Sequence, residues 1–332
     1  MIASATLLAL SLSSLPLSPS AVSRAAAERA LPLLYKAAEG HIEQRTCFAC
    51  HNQAMPVMAF AAAKARGYDV SADAVKAQVE HITAFLTENR EKFQKGQGTG
   101  GQVDTAGYAL FTLELGGHKP DDNTTAVVEY LLKTQADRDH WRTSSKRPPS
   151  EASDFSATYL ALRGLRVWAT ADQKDRAAKR VQAARAWLIK TPAKDTEDRV
   201  FRLFALVEAR ADGKDIGAAA WDLLKTQRAD GGWGQLDRLG SDPYATGSAL
   251  VALHQAGGLA TDHPAYARGV GFLRSTQKPD GSWFVKSRSD PFQPYYESGF
   301  PHTKDQFISV AASGWATTAL ILASRPEPGT KR

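Results

Sequence analysis

Leu223-Leu224-Lys225-Thr226-Gln227-Arg228-Ala229-Asp230-Gly231-Gly232-Trp233 has two further copies in this chain, and that recurrence settles the architecture. Leu273-Arg274-Ser275-Thr276-Gln277 leads through Asp280-Gly281-Ser282 to Trp283, and Leu131-Leu132-Lys133-Thr134-Gln135 leads to Trp141. All three share the spacing Q-x5-W behind an apolar helical run. A weaker echo is Trp187-Leu188-Ile189-Lys190-Thr191-Pro192, with proline in place of the glutamine. Self-similarity of this kind means one supersecondary unit stacked on its copies, each too small to bury its own apolar face.

Read outward from these phrases, the chain alternates between outer and inner helical segments, and six pairs can be counted. The outer segments are expected at 24–39, 71–95, 121–136, 172–190, 215–227 and 263–277. The inner ones are expected at about 53–66, 104–116, 154–168, 198–210, 242–256 and 306–323. No strand pattern competes with them. Inner segments such as Ala245-Thr246-Gly247-Ser248-Ala249 and Ala311-Ala312-Ser313-Gly314 carry small residues that let helices approach closely, which suits a crowded inner ring.

Helix, Q-x-x-x-G-x-W, then a small-residue helix resembles the QW repeat of the squalene cyclase and protein prenyltransferase superfamily. The resemblance covers nearly all of the chain and implies an all-α (α/α)6 toroid, in which six inner helices surround a cavity. It also implies that the glutamines and tryptophans tie successive pairs together. The physical reading agrees, because repeated identity at equivalent sites serves stacking rather than one chemical event. Gln135, Trp141, Gln227, Trp233, Gln277 and Trp283 are therefore expected to be structural.

Residues 1–23 hold no charged side chain and carry an apolar stretch around Leu7 to Leu17, followed by Ala21-Val22-Ser23. This reads as an export signal, too short and serine-rich for a spanning helix. A periplasmic or secreted protein without a stable membrane anchor is expected, with one toroid domain over 24–325 and a tail over 326–332. The 41 basic and 35 acidic residues give a net charge of +6. Mixed runs such as Asp172-Gln173-Lys174-Asp175-Arg176 spread that charge over solvated helix faces, which argues against a nucleic-acid partner.

The only two cysteines fall in Cys47-Phe48-Ala49-Cys50-His51, a C-x-x-C-H that reads as a haem c attachment site. Two thiols three positions apart suit thioethers to one porphyrin, and His51 then reaches the iron as proximal ligand. The alternatives are a Cys47–Cys50 disulfide or dithiol, and a zinc site made of Cys47, Cys50 and His51 with outside ligands. Met55 and Met58 lie too close to His51 to wrap to the opposite haem face. A sixth ligand would come from His41, His81, His118, His140, His254, His263 or His302. His302 is preferred, because ring closure sets the last pair beside the first. This reading implies haem-linked redox or electron transfer with a redox partner protein.

Cyclases of the resembled superfamily protonate an alkene with an acid on an inner helix, carried as D-x-D-D. The nearest phrase here is Asp195-Thr196-Glu197-Asp198, with glutamate at the central position and Arg199 following. Glu197 and Asp198 are the candidate catalytic residues, but Asp104, Asp154, Asp242 and Asp305 also stand near inner-helix starts, so N-capping is favoured. With no cysteine after Cys50, the chain matches neither the prenyltransferase zinc site nor that of the toroidal lanthionine cyclases, which adds a cysteine from another repeat. The alternative to the haem reading is an isoprenoid-binding or terpene-cyclase-like protein. In it an apolar central cavity does the work, and Cys47-Cys50 is a disulfide or part of a metal site, so the cofactor is zinc or none.

Overall fold

The structure is a computed structural model that describes residues 18–291 and 294–325. The apolar core of the expected export signal and the expected tail lie outside the described residues, apart from the last few positions of the signal. Twelve α-helices are present among the described residues, with no strand. The outer set is α1 Pro19–Gln44, α3 Ala72–Gln94, α5 Asp122–Lys133, α7 Lys174–Lys190, α9 Gly213–Leu224 and α11 Pro264–Thr276. The inner set is α2 Met55–Ala65, α4 Gln102–Leu115, α6 Asp154–Trp168, α8 Thr196–Glu208, α10 Pro243–Gln255 and α12 Gln306–Ala323. Each inner helix packs on the next, and α12 closes on α2, so the expected toroid is the observed fold.

Two boundaries moved for identifiable reasons. Helix α1 starts at Pro19 rather than at residue 24, because Ser18 accepts from the Ala21 N–H and proline occupies the first helical position. The stretch Ala21-Val22-Ser23 is therefore helical, with the Ser23 hydroxyl on the Pro19 carbonyl. Helix α2 begins at Met55 only after a π-helical turn, Cys50–Ala54. Buried side chains hold that turn: Asn52 donates to the Ala37 carbonyl, and Gln53 accepts from Ala49 N–H.

Each full repeat closes in the same way. The indole N–H of Trp141, Trp233 and Trp283 donates to the carbonyl of Leu131, Leu223 and Leu273 in the preceding outer helix, at 2.9, 3.0 and 2.7 Å. The backbone N–H of each tryptophan is taken by a hydroxyl on the following inner helix, from Thr158, Thr246 and Ser313. Gln227 donates to the Ala265 carbonyl of α11, and Gln277 to the Ala26 carbonyl of α1, which joins the end of the ring to its beginning. Gly231 and Gly281 turn with φ of 85° and 93°, and a Cβ there would lie 2.6 Å from the Arg268 carbonyl oxygen and 2.3 Å from that of Arg29. Only glycine satisfies both demands.

The first copy departs from this pattern. Gln135 closes its own loop on Arg142, and Arg180 of α7 reaches back to the Gln135 carbonyl while its guanidinium lies 4.1 Å from the Trp141 ring centroid. In the inner ring, a Cβ on Gly247 would lie 2.7 Å from the backbone nitrogen of Ala316. Helix α12 is apolar and long enough to cross a membrane, yet it is mostly buried inside the ring.

Truncating Trp233, fully buried and bonded at both nitrogens, removes a closure of the ring as well as a large apolar volume. Trp233→Ala is expected to cost about 3–5 kcal/mol of unfolding free energy, read as a lowered melting temperature in calorimetry. Unchanged stability would make the tryptophan something other than a structural closure.

Candidate functional site: a polar rim over an aromatic cavity

The inner helices present their N-terminal ends to one rim, where the loops that enter them meet. Pro148-Pro149-Ser150-Glu151 before α6, Asp195 to Asp198 at α8, Asp242 to Tyr244 at α10 and Ser287 to Ser289 before α12 are joined by hydrogen bonds or share one small pocket. The expected N-caps divide here. Asp195 caps α8 through the Asp198 N–H, and Asp242 caps α10 through Tyr244 and Ala245 N–H groups. Asp154, Asp242 and Asp305 also take the N–H of Thr143, Gln235 and Ser287 and so pin each incoming loop. Asp104, inside the first turn of α4, accepts from the Thr143 hydroxyl, and its Oδ1 has no hydrogen-bond partner.

Glu197 does not cap. It is 5% exposed, and its carboxyl accepts a 3.1 Å hydrogen bond from the Tyr244 hydroxyl. Burial, reinforced by the charge of Asp195, raises the Glu197 pKa well above its ordinary value, which favours the neutral carboxyl. Asp198 instead accepts from the Ser153 hydroxyl and the Lys194 N–H, a bracing role. Burial likewise raises Asp104, to about 7. Beside Glu197 the rim opens into a pocket of about 20 Å³, space for about one water, lined by Asp195, Gln235, Tyr244 and Arg288.

Below the rim, a cavity of about 230 Å³ occupies the middle of the ring. Tyr108, Phe111, Tyr159, Phe201, Phe204 and Trp315 supply its aromatic wall, and Met55 and Met58 line it too. The rings form a continuous belt: Tyr159 lies 5.5 Å from Phe201 and 5.2 Å from Phe204, and Phe204 lies 6.5 Å from Trp315. Tyr244, the phenol bonded to Glu197, stands at the start of α10, which packs on α12, the helix that brings Trp315 to the cavity. The far end is polar, with Gln255 and Arg163; Arg163 pairs with Glu114 at 2.6 Å and donates to the Tyr159 hydroxyl oxygen at 2.7 Å.

The C-x-x-C-H segment meets this rim with its two cysteines in different surroundings. Cys47 is exposed, whereas the Cys50 thiol is desolvated and donates to Glu151 Oε1 at 2.7 Å; both thiols are free. His51 has both ring nitrogens engaged, Nδ1 with the Cys50 sulfur at 3.2 Å and Nε2 with the Ser150 hydroxyl at 2.9 Å. Burial raises the Cys50 thiol pKa well above its ordinary value and lowers that of His51. His302 is placed apart from them, its Nε2 on the Ser282 hydroxyl and its ring between Phe284 and Phe300.

Residues 164–330 match the model of the squalene-hopene cyclase C-terminal domain. The chain belongs to that family. It is 29% identical over 205 residues to drimenyl diphosphate synthase of Streptantibioticus cattleyicolor, covering 58% of this chain and 37% of that protein. It is 41% identical over 103 residues to squalene–hopene cyclase of Bradyrhizobium diazoefficiens, covering 28% of this chain and 14% of that one. The chain thus spans little more than a third of the drimenyl diphosphate synthase, at 37%, and less of the hopene cyclase. Among solved structures, a protein from Actinoplanes superposes with a TM-score of 0.56 at 15% identity, over 91% of this chain and 99% of that one. The type II terpene cyclase MstE from Scytonema, in a variant bound to its substrate geranylgeranyl dihydroxybenzoate, gives 0.54 at 12% identity, over 92% and 98%. At these identities the structural likeness shows the fold alone.

These relatives correct the haem reading. The curated proteins this chain resembles are terpene cyclases, not haem redox proteins, so the haem-linked electron-transfer function falls. The structure supplies the physical reason a C-x-x-C-H misleads here. The Cys50 thiol and His51 Nδ1 face each other and Glu151 across the rim, while Cys47 is exposed and outside that cluster. Sequence reading also missed Tyr244, Glu151, Arg147 and the aromatic wall. Spacings such as Tyr108 to Phe111 and Phe201 to Phe204 on one helix face were the available signal for that wall.

One buried histidine sets how the C-x-x-C-H loop responds to acid. His41 is buried, with Tyr296 at 2.6 Å on Nδ1 and the Cys47 carbonyl at 2.7 Å on Nε2, and burial lowers its pKa from 6.5 to about 4. The unfolded chain therefore binds this proton first, so the stability involved is complete above pH 6.5 and is lost as pH falls towards 4. The loss is about 3 kcal/mol. Denaturant melts across that window should show a shallower acid dependence for His41→Gln than for the wild type; parallel slopes would contradict the burial of a neutral ring.

Proposed function

We propose that this chain is a cyclase-like isomerase in which neutral Glu197 protonates the terminal alkene of an isoprenoid held in the aromatic cavity. The observation that carries the reading is a buried carboxyl at the central position of a D-x-E-D phrase, its pKa raised by burial and its oxygen bonded by Tyr244 at the rim of the ring that holds the cavity. Tyr244 donates to Oε1, which leaves Oε2 to carry the proton. The proton adds to one alkene carbon, a neighbouring alkene attacks the resulting cation to close a ring, and the last cation returns a proton to water. The substrate is thereby isomerised. Aromatic faces stabilise the travelling cation by about 0.5–2 kcal/mol each. The small polar pocket gives Glu197 a route to recover its proton from solvent, and Asp198 steadies the turn that carries it.

Gln255 and Arg163 make the far end of the cavity suited to the polar end of the ligand. The relatives' names support an isoprenoid, since one is a synthase of drimenyl diphosphate and another a squalene–hopene cyclase. Export of the chain, expected from its uncharged first residues, belongs to this reading as well.

The test is incubation of purified protein with squalene, neutral polyprenes and farnesyl diphosphate, followed by gas chromatography with mass detection. Cyclic products are expected from the wild type. Glu197→Gln should lower their yield by about 10²–10⁴-fold, the usual weight of a positioned acid, with the melting temperature retained. Activity should fall as pH rises through the elevated pKa of Glu197. Products that survive in Glu197→Gln but vanish in Asp104→Asn would move the acid to α4, and an inert wild type would overturn the reading.

A further inference from the structure

Cys50, His51 and Glu151 have no part in that chemistry, yet they come together at the rim. We propose that they bind one zinc ion, with water in the fourth position. Their donor atoms lie within 4.8 Å of one another: sulfur to Nδ1 3.2 Å, sulfur to Oε1 2.7 Å and Nδ1 to Oε1 4.0 Å. Bonds of about 2.3 Å to sulfur and about 2.0–2.2 Å to nitrogen and oxygen in a tetrahedron set these separations near 3.3–3.6 Å. Each ligand therefore moves by under about 1 Å to close on the ion.

The atoms that do not face the ion are held from behind. Ser150 takes Nε2 of His51, leaving Nδ1 for the metal, and Arg147 pairs with the second oxygen of Glu151. The Arg147 and Glu151 backbones exchange hydrogen bonds of 2.9 and 3.0 Å, so the loop that delivers the carboxylate is closed on itself. Such outer partners orient metal ligands and raise affinity. Thiolate with imidazole selects zinc over magnesium or calcium, and a carboxylate completes a three-ligand zinc site. Binding replaces the S–H···O bond with S–Zn and O–Zn bonds, and the thiol proton leaves to water. Exposed Cys47 takes no part.

The ion clips the π-helical turn that opens α2 to the loop that opens α6, and Ser153 of that loop braces Asp198. Its role here is architectural, and it stands whether or not the cyclase reading does, because metal content is read without substrate.

The full chain, purified under reducing conditions, is dialysed against zinc and then buffer, and metal is counted by plasma mass spectrometry. One zinc per chain is expected for wild type and Cys47→Ser. Cys50→Ser should retain none, and Glu151→Gln should bind at least tenfold more weakly. Cobalt in place of zinc should show a thiolate charge-transfer band with four-coordinate visible bands in wild type and Cys47→Ser. This arm needs no Cys50 variant, which keeps the test decisive if that variant misfolds. A metal-free wild type, a cobalt spectrum without the thiolate band, or equal dependence on Cys47 and Cys50 would overturn the proposal.

Discussion

Everything in this molecule depends on one closure, the indole of each repeat tryptophan donating to a leucine carbonyl at the end of the preceding outer helix. An exposed helix end leaves carbonyls without partners, and a buried one cannot afford to. The indole satisfies one of them from inside the turn, while its ring fills the space beneath. The same residue then offers its backbone N–H to a hydroxyl on the next inner helix. One side chain thus fixes the angle between an outer helix and the inner helix that follows, and three copies of that angle contribute to a ring.

The ring in turn creates the rim. Inner helices that run parallel must place their N-termini together, and each N-terminus attracts a short carboxylate. The result is a crowd of aspartates and glutamates at one end of a dry cylinder. Most find N–H groups and become caps or loop anchors, as Asp195, Asp242 and Asp154 do. Glu197 finds only a phenol, so burial raises its pKa and favours the neutral form. An acid of this kind arises where a helix start supplies one carboxylate more than it can cap.

The haem motif shows how a local pattern can suggest one cofactor while the fold gathers other partners around the same residues. Cysteine and histidine at that spacing do favour a bound metal or porphyrin, but which one depends on what else reaches them. Here Glu151 arrives from 100 positions further along the chain, and Arg147 and Ser150 arrive with it.

The toroid was legible because its cause is periodic. Q-x5-W, the Thr-Gln step and the small-residue inner segments are local, and inner segments expected at 154–168 and 306–323 became α6 and α12 with the same bounds. The structural role of Trp233 followed from repetition alone, and the structure bears it out. The phrase Asp195 to Asp198 was legible only as a helix start; its division into a cap, an isolated acid and a brace needed Tyr244 from α10 and Ser153 from the α6 loop. The early start of α1 turned on Ser18, the π-helical turn on the buried amides of Asn52 and Gln53, and the fate of Cys50 on Glu151. Backbone periodicity is encoded by near neighbours, whereas protonation, ligation and the filling of a cavity are set by groups that meet only when the ring closes.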